Sequence, residues 1–414
     1  MTMTAPAAKM KFAPFAEVFT APPDPILGLT EAFRNDPNLN KVNLGVGVYL
    51  NEKGIVPVLS SVHEAESRLL TQETTKTYLP IDGDANYNRR VQTLLFGENS
   101  ALVAEGRAVT LQALGGTGAL RVGADFLSRF AGGASVYLSD PSWENHAQIF
   151  EFAGFDVKRY PYYNAETHAL EFSAMMTSLE EAKSGSIIVL HACCHNPTGA
   201  DLTQEQWDQV VLLFQKRELI PFLDFAYQGF AVGLEEDAYA VRLFAQAQIP
   251  YLIANSFSKS FSLYRERVGA LTIVGTNAEE ANRVLSQVKR DVRSNYSNPA
   301  AHGAQTVAII LGDPELRSLW ESELTGMREH IRTMRVRFVE ELKARGVEQD
   351  FSFILRQSGM FSYSGLTKDV VLKLREQGIY IVDSGRVCLG AIHESNVGTI
   401  CAAIAEQLGE SVEC

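Results

Sequence analysis

The chain has 414 residues, 46% of them hydrophobic and 21% charged, which excludes a disordered polypeptide and supplies enough apolar side chains for a large core. At roughly 150 residues per domain, the length suits two or three domains, or one large domain with an appended lobe. Lys+Arg 37 against Asp+Glu 49 leaves a net charge of −12 with no basic cluster, which argues against a nucleic-acid or anionic-membrane surface. Five cysteines, with Cys193 and Cys194 adjacent, make neither a disulfide framework nor a metal spacing, since neighbouring cysteines do not readily face one ion. Met1 to Phe12 lack the apolar core of a signal peptide, and no stretch approaches the roughly 18 apolar residues of a membrane span. The expectation is a cytoplasmic protein without metal.

Met1 to Lys11 read as a tail, followed by a turn at Ala21-Pro22-Pro23-Asp24-Pro25 and a short amphipathic helix from Ile26 to Phe33. From residue 108 onward, short apolar runs alternate with helical stretches. The runs begin at Ala108, Ser135, Ser186, Ile220, Tyr251 and Val268, and a clear helix pattern spans Gln204 to Lys216. Runs without polar alternation indicate strands buried on both faces, hence a mostly parallel sheet covered by helices. A long charged helix over Pro314 to Arg345 and a mixed segment from Phe351 to Gly390 follow. No internal repeat is present. The simplest arrangement is an α/β domain with a smaller α+β lobe built from both chain ends.

In open α/β sheets, ligands bind beyond the carboxyl ends of the strands, and four of these runs end in unusual polar residues. Ala108 to Leu114 leads into Gly115-Gly116-Thr117-Gly118, which reads either as a plain strand-to-helix turn or as a phosphate cradle at a helix N-terminus. Ser186 to Leu190 leads into His191-Ala192-Cys193-Cys194-His195-Asn196-Pro197-Thr198-Gly199, a polar turn open to a structural reading as a capped loop. Asp224, within Ile220 to Tyr227, is a carboxylate in apolar surroundings that calls for a partner, or else caps the next turn. Lys259 lies in a hydroxyl-rich turn after Tyr251 to Ala254, with Arg267 eight residues on. A lysine, a phosphate cradle and a buried carboxylate on neighbouring strands are what a pyridoxal phosphate enzyme needs. The lysine amine forms a Schiff base, the carboxylate keeps the pyridine nitrogen protonated, and cations with a helix N-terminus hold the phosphate.

These residues stand in longer blocks: Asn-Leu-Gly-Val-Gly-Val-Tyr (43–49), Gly-Gly-Thr-Gly-Ala-Leu (115–120), Asp-Pro-Ser-Trp-Glu-Asn-His (140–146) and His-Asn-Pro-Thr-Gly (195–199). Asp-Phe-Ala-Tyr-Gln-Gly-Phe (224–230), Ser-Phe-Ser-Lys-Ser-Phe (256–261), Tyr-Ser-Asn-Pro (296–299) and Ser-Gly-Arg (384–386) follow in order. Together the blocks resemble the aspartate/aromatic aminotransferase family from Pro25 to Leu408. The resemblance implies pyridoxal 5'-phosphate as cofactor and an aspartate aminotransferase-like architecture. That architecture has a tail over residues 1–20, a small domain over 21–56 and 327–414, and a large cofactor-binding domain over 57–326.

It also implies roles. Lys259 holds the cofactor and shuttles the proton. Asp224, steadied by His146, faces the pyridine nitrogen, while Asn196 and Tyr227 bond the ring oxygen and Trp143 stacks on the ring. Gly116, Thr117, Ser256 and Arg267 hold the phosphate, with Tyr78 reaching over from a partner subunit. Arg386 grips the substrate α-carboxylate, aided by Gly47, Trp143 and Asn196, and a partner's Arg293 faces a distal carboxylate. Shared sites imply a homodimer. The resemblance further implies cis peptide bonds at Asp140-Pro141 and Asn196-Pro197.

Ser256-x-x-Lys259 also matches a hydrolase nucleophile motif, but Lys183-Ser184-Gly185 precedes it, the reverse of that family's order. A β-lyase or decarboxylase would keep the cofactor, yet two carboxylate-facing arginines favour amino transfer, and intact Lys259 and Asp224 argue against a dead homologue. Leu50 and Val56 replace the lysine and threonine that aspartate-specific relatives tend to carry, whereas Thr117 and Asn298 fit the aspartate pattern. The wording of 139–146 and 256–264 leans to the aromatic subgroup. The expectation is an aminotransferase that takes tyrosine, phenylalanine and aspartate with 2-oxoglutarate, the alternative being a dedicated aspartate aminotransferase.

Overall fold

The computed structural model describes residues 14–21 and 26–409, so the expected tail up to Lys11, the turn at Pro22 to Pro25 and Cys414 lie outside the described residues. Seven strands form the central sheet: β1 Ala108–Leu114, β2 Ser135–Asp140, β3 Asp156–Pro161, β4 Ile187–His191, β5 Ile220–Phe225, β6 Tyr251–Ser256 and β7 Val268–Val274. Their spatial order is β1-β7-β6-β5-β4-β2-β3. Neighbours are parallel except for β7, which runs antiparallel to both β1 and β6. The mostly parallel sheet expected from unalternated apolar runs is thus present, with one reversed strand. Strand β3 escaped the sequence reading because Asp156, Lys158 and Arg159 make it a charged edge strand, exposed along most of its length.

Alternate residues of each strand enter different cores. Val189, Phe222, Leu252 and Leu271 pack on one face, and Leu190, Leu223, Ile253 and Ala270 on the other. The helix Gly115–Phe130 lies so close to the sheet that a Cβ at Gly123 would come within 2.5 Å of Phe222 Cζ. The helix Gln204–Arg217 starts at a capping box in which Thr203 and Gln206 satisfy each other's backbone donors. The second helix is close to the span Gln204 to Lys216 that periodicity predicts.

The chain ends meet in a cluster of two short two-stranded sheets. Val42–Asn43 pairs in parallel with Ile379–Tyr380, and Phe361–Tyr363 pairs antiparallel with Arg386–Cys388. Leu44 N–H donates to Tyr380 O, Cys388 N–H to Leu44 O, and Leu50 N–H to Gly390 O, each at 2.8 Å. The helix Pro314–Ala344 runs unbroken through residues 326 and 327 and so joins this cluster to the rest. It is capped by the Asp313 side chain, which accepts from the amides of Glu315 and Leu316.

Candidate active site

The carboxyl ends of β1, β4, β5 and β6 converge on one cleft. Asp224 sits near the end of β5, opposite His191 of β4 in register, and is 5% exposed. Its Oδ2 lies 2.9 Å from His146 Nε2, and His146 Nδ1 lies 2.9 Å from Ser142 Oγ. A carboxylate can only accept, so Nε2 carries the proton of that contact. Asp224 Oδ1 is buried and has no hydrogen-bond partner among the described residues. Burial raises this carboxyl's pKa, but the His146 hydrogen bond and the nearby charges of His146 and Lys259 outweigh that and hold it below the ordinary value.

Lys259 follows β6 and lies with Nζ 4.8 Å from the centre of the Tyr227 ring. Burial pushes its ammonium pKa down to about 8; Asp224 opposes the shift, and Arg267 and Arg386 add to it. Tyr227 is itself 4% exposed, and burial drives its phenol well above the ordinary range. Trp143 packs edge-on against His146, with ring centres 5.3 Å apart.

On the adjoining side, β1 turns at Gly115 (φ +71°) straight into its helix, with Gly116 and Thr117 as the next residues. No side chain caps this terminus, so its first N–H groups are left for a ligand. A Cβ at Gly115 would sit 2.6 Å from Arg267 Nη2, and one at Gly116 would sit 3.1 Å from Ser256 Cβ. Ser256 Oγ donates to Ser258 Oγ at 3.2 Å, which also accepts from Arg267 Nη1 at 3.3 Å. An uncapped helix start, two hydroxyls and a guanidinium form an anion cradle. Ser258 was absent from the sequence-derived set, although its place in the hydroxyl-rich turn could have revealed it.

Arg386, 1% exposed, faces the cleft from the short strand Arg386–Cys388. Nη2 donates to Gly45 O at 2.7 Å and Nη1 to Asn196 Oδ1 at 3.1 Å, while Nε is buried without a partner among the described residues. Gly47 lies on the same segment as Gly45; a Cβ there would meet Phe361 Cζ at 2.5 Å, and Phe361 underlies the Arg386 guanidinium at 4.3 Å. Gly45 and Phe361 were not singled out in the sequence, because a carbonyl and a ring platform leave no motif. Both Asp140-Pro141 and Asn196-Pro197 are cis, as expected.

Two expected site residues are exposed and form no hydrogen bond with the cleft residues described above. Tyr78 is 87% exposed, and Arg293 is an exposed residue near the end of the helix Ala278–Asn295 whose Nη1 donates to Ser297 Oγ. Another expectation needs correction. Cys193 and Cys194 do face one point: ligand atoms of both and of Asp237 lie within 4.8 Å of one another, with Cys194 at φ +52°. The Asp237 carboxylate is nevertheless committed to the amides of Gly229, Ala231, Val232 and Gly233, which explains its burial without an ion.

A lysine and a half-partnered carboxylate beside an anion cradle, at the carboxyl edge of a mostly parallel sheet, define a site for a phosphorylated ring cofactor in an α/β enzyme. The chain belongs to the aminotransferase class I and II family, whose pattern matches residues 40–404. An aspartate aminotransferase of Pseudomonas aeruginosa is 54% identical over 395 residues, covering 95% of this chain and 99% of the relative. An aromatic-amino-acid aminotransferase of Escherichia coli is 49% identical over 384 residues, covering 92% and 97%. The crystal structure of an aromatic-amino-acid aminotransferase from Burkholderia pseudomallei, covalently bound to pyridoxal phosphate, superposes with a TM-score of 0.94 at 55% identity, covering 96% of this chain and 100% of that one.

Proposed function

We propose that this chain is a pyridoxal phosphate-dependent aminotransferase of broad specificity, moving the amino group of tyrosine, phenylalanine or aspartate to 2-oxoglutarate. The observation that carries the reading is Asp224: one oxygen is held by His146, and the other is buried with no hydrogen-bond partner among the described residues, beside Lys259 and the uncapped helix at Gly115. The buried residues fit the cofactor, which when bound supplies an aldehyde and an electron-withdrawing pyridine ring.

Asp224 Oδ1 would accept the ring N–H, and Asn196 with Tyr227 would bond the ring oxygen. Trp143 would cover the ring face. Gly116, Thr117, Ser256, Ser258 and Arg267 would hold the phosphate. Lys259 would move the proton at the substrate α-carbon, for which its amine must be neutral, and the depressed pKa of about 8 suits it to that work. Arg386 would grip the α-carboxylate with Asn196 and the Gly47 segment.

Tyr78 and Arg293, exposed and not hydrogen-bonded to the cleft residues of their own chain, suit a homodimer in which each copy completes the other's site. The division into a small domain over 21–56 and 327–414 and a large one over 57–326 belongs to the same reading. Among the described residues no helix is long and apolar enough to cross a membrane, and a cytoplasmic location is part of the proposal.

Lys259→Ala tests the reading. The variant is expected to bind pyridoxal phosphate without a covalent link and to lose turnover; turnover like the parent's would remove Lys259 from its role. The parent should show a near-visible absorbance band that borohydride abolishes, together with transfer from both phenylalanine and aspartate. Transfer from aspartate alone would favour the dedicated aspartate enzyme.

A further inference from the structure

The orientation of Arg386 is settled without any acidic side chain. Its guanidinium is held by Gly45 O at 2.7 Å and Asn196 Oδ1 at 3.1 Å, and lies over the Phe361 ring. Its charge is a separate matter, because a guanidinium that is 1% exposed needs a counter-charge. Glu144 supplies the nearest one recorded: Oε2 stands 3.8 Å from Arg386 Nη1, too long for a hydrogen bond. That same Oε2 is buried with no hydrogen-bond partner among the described residues, as is Arg386 Nε. Glu144 approaches from the loop between Pro141 and the helix Asn145–Phe152, whereas Arg386 belongs to the strand Arg386–Cys388 at the opposite wall.

We propose that Glu144 is a substitute counter-ion for Arg386, balancing its charge before a substrate carboxylate arrives and weakening the binding of every carboxylate that displaces it. The proposal rests on Arg386 being the α-carboxylate anchor. Because Glu144 contributes charge and not geometry, its removal leaves the guanidinium aimed as before but with its positive charge unopposed. An α-carboxylate carries the same charge in the ground state and the transition state, so the effect falls on KM and not on kcat. It is also the same for aspartate and phenylalanine, which share that group. The glutamate side chain is 36% exposed, so solvent screens the interaction and bounds its size.

The test uses the cofactor-loaded protein and two variants, Glu144→Gln and Glu144→Ala. The probe is 3-phenylpropionate, a carboxylate without an amino group, whose inhibition constant is measured beside KM and kcat for aspartate and phenylalanine. In both variants the inhibition constant and both KM values should fall by about two- to fivefold. A rise in the inhibition constant would overturn the proposal by showing that Glu144 orients Arg386, and an unchanged constant in both variants would overturn it by showing that the charge is not felt. A parent that fails to transaminate overturns the functional reading itself; a parent that transaminates, with variants whose inhibition constant does not fall, overturns the role of Glu144 alone.

Discussion

His146 Nε2 donates to Asp224 Oδ2 at 2.9 Å while Asp224 Oδ1, buried beside it, accepts from no described residue. One histidine thus fixes the plane of the carboxylate and leaves a single oxygen aimed for use. Replacing Asp224 by Asn exchanges an acceptor for a donor where a ring N–H is to be met. Asp224→Asn should lower kcat/KM by about 2–5 kcal/mol, with His146→Asn costing about 1–2, since the latter loosens the carboxylate without removing it. Steady-state kinetics on both variants checks the order; a His146 variant worse than the Asp224 variant would contradict it.

The position of Lys259 predicts a pH dependence in the cofactor-free protein. Capture of pyridoxal phosphate needs the neutral amine, so its rate should rise as pH passes through about 8 and level off above it. A midpoint at the ordinary lysine value of 10.5 would show that burial does not act on this amine. The sign for stability follows: between these values the unfolded chain holds the proton that the folded chain has lost, so the folded state gains stability as pH rises across that window. Stopped-flow absorbance gives the rate, and thermal unfolding against pH gives the second check.

Arg386 and Arg293 should separate substrates. Arg386→Ala removes the group proposed to face every α-carboxylate, and should lower kcat/KM by about 2–5 kcal/mol for aspartate and phenylalanine alike. Arg293→Ala should cost aspartate and glutamate about 2–4 kcal/mol and phenylalanine under about 1, because on the proposed reading an aromatic ring would rest on apolar walls such as Leu50 and Val56 while Arg293 would turn to solvent. Equal losses for the two substrate classes on removing Arg293 would defeat this division.

Gly269 links the sheet to the cradle. It pairs with Ala113 on one side and Ser256 on the other, and a Cβ there would meet the Gly115 carbonyl carbon at 2.4 Å and Asn255 O at 2.6 Å, both backbone atoms that cannot swing away. Gly269→Ala should therefore destabilise the fold by about 1–3 kcal/mol and weaken cofactor retention, through displacement of the Gly115 turn. Denaturant unfolding and cofactor titration would read the two effects, and an unchanged midpoint would show that the sheet yields without cost.

Much of this was legible in the chain itself. Apolar runs at 108, 135, 186, 220, 251 and 268 marked six of the seven sheet strands, because a strand buried on both faces has no other pattern available to it. The polar residues that end them stand where a parallel sheet presents ligands, so Lys259, Asp224 and the Gly115 turn, each open to a structural reading alone, pointed to a site when taken together. Tertiary structure decided the rest. The reversed direction of β7, the charged edge strand Asp156–Pro161, the crossing of chain ends that brings Gly45 to Arg386, and the pairing of Glu144 with that arginine all depend on contacts between residues far apart in sequence. Local periodicity records which face of an element is apolar. It carries no record of which distant carbonyl or carboxylate will meet a given side chain, because that is set by how the elements pack.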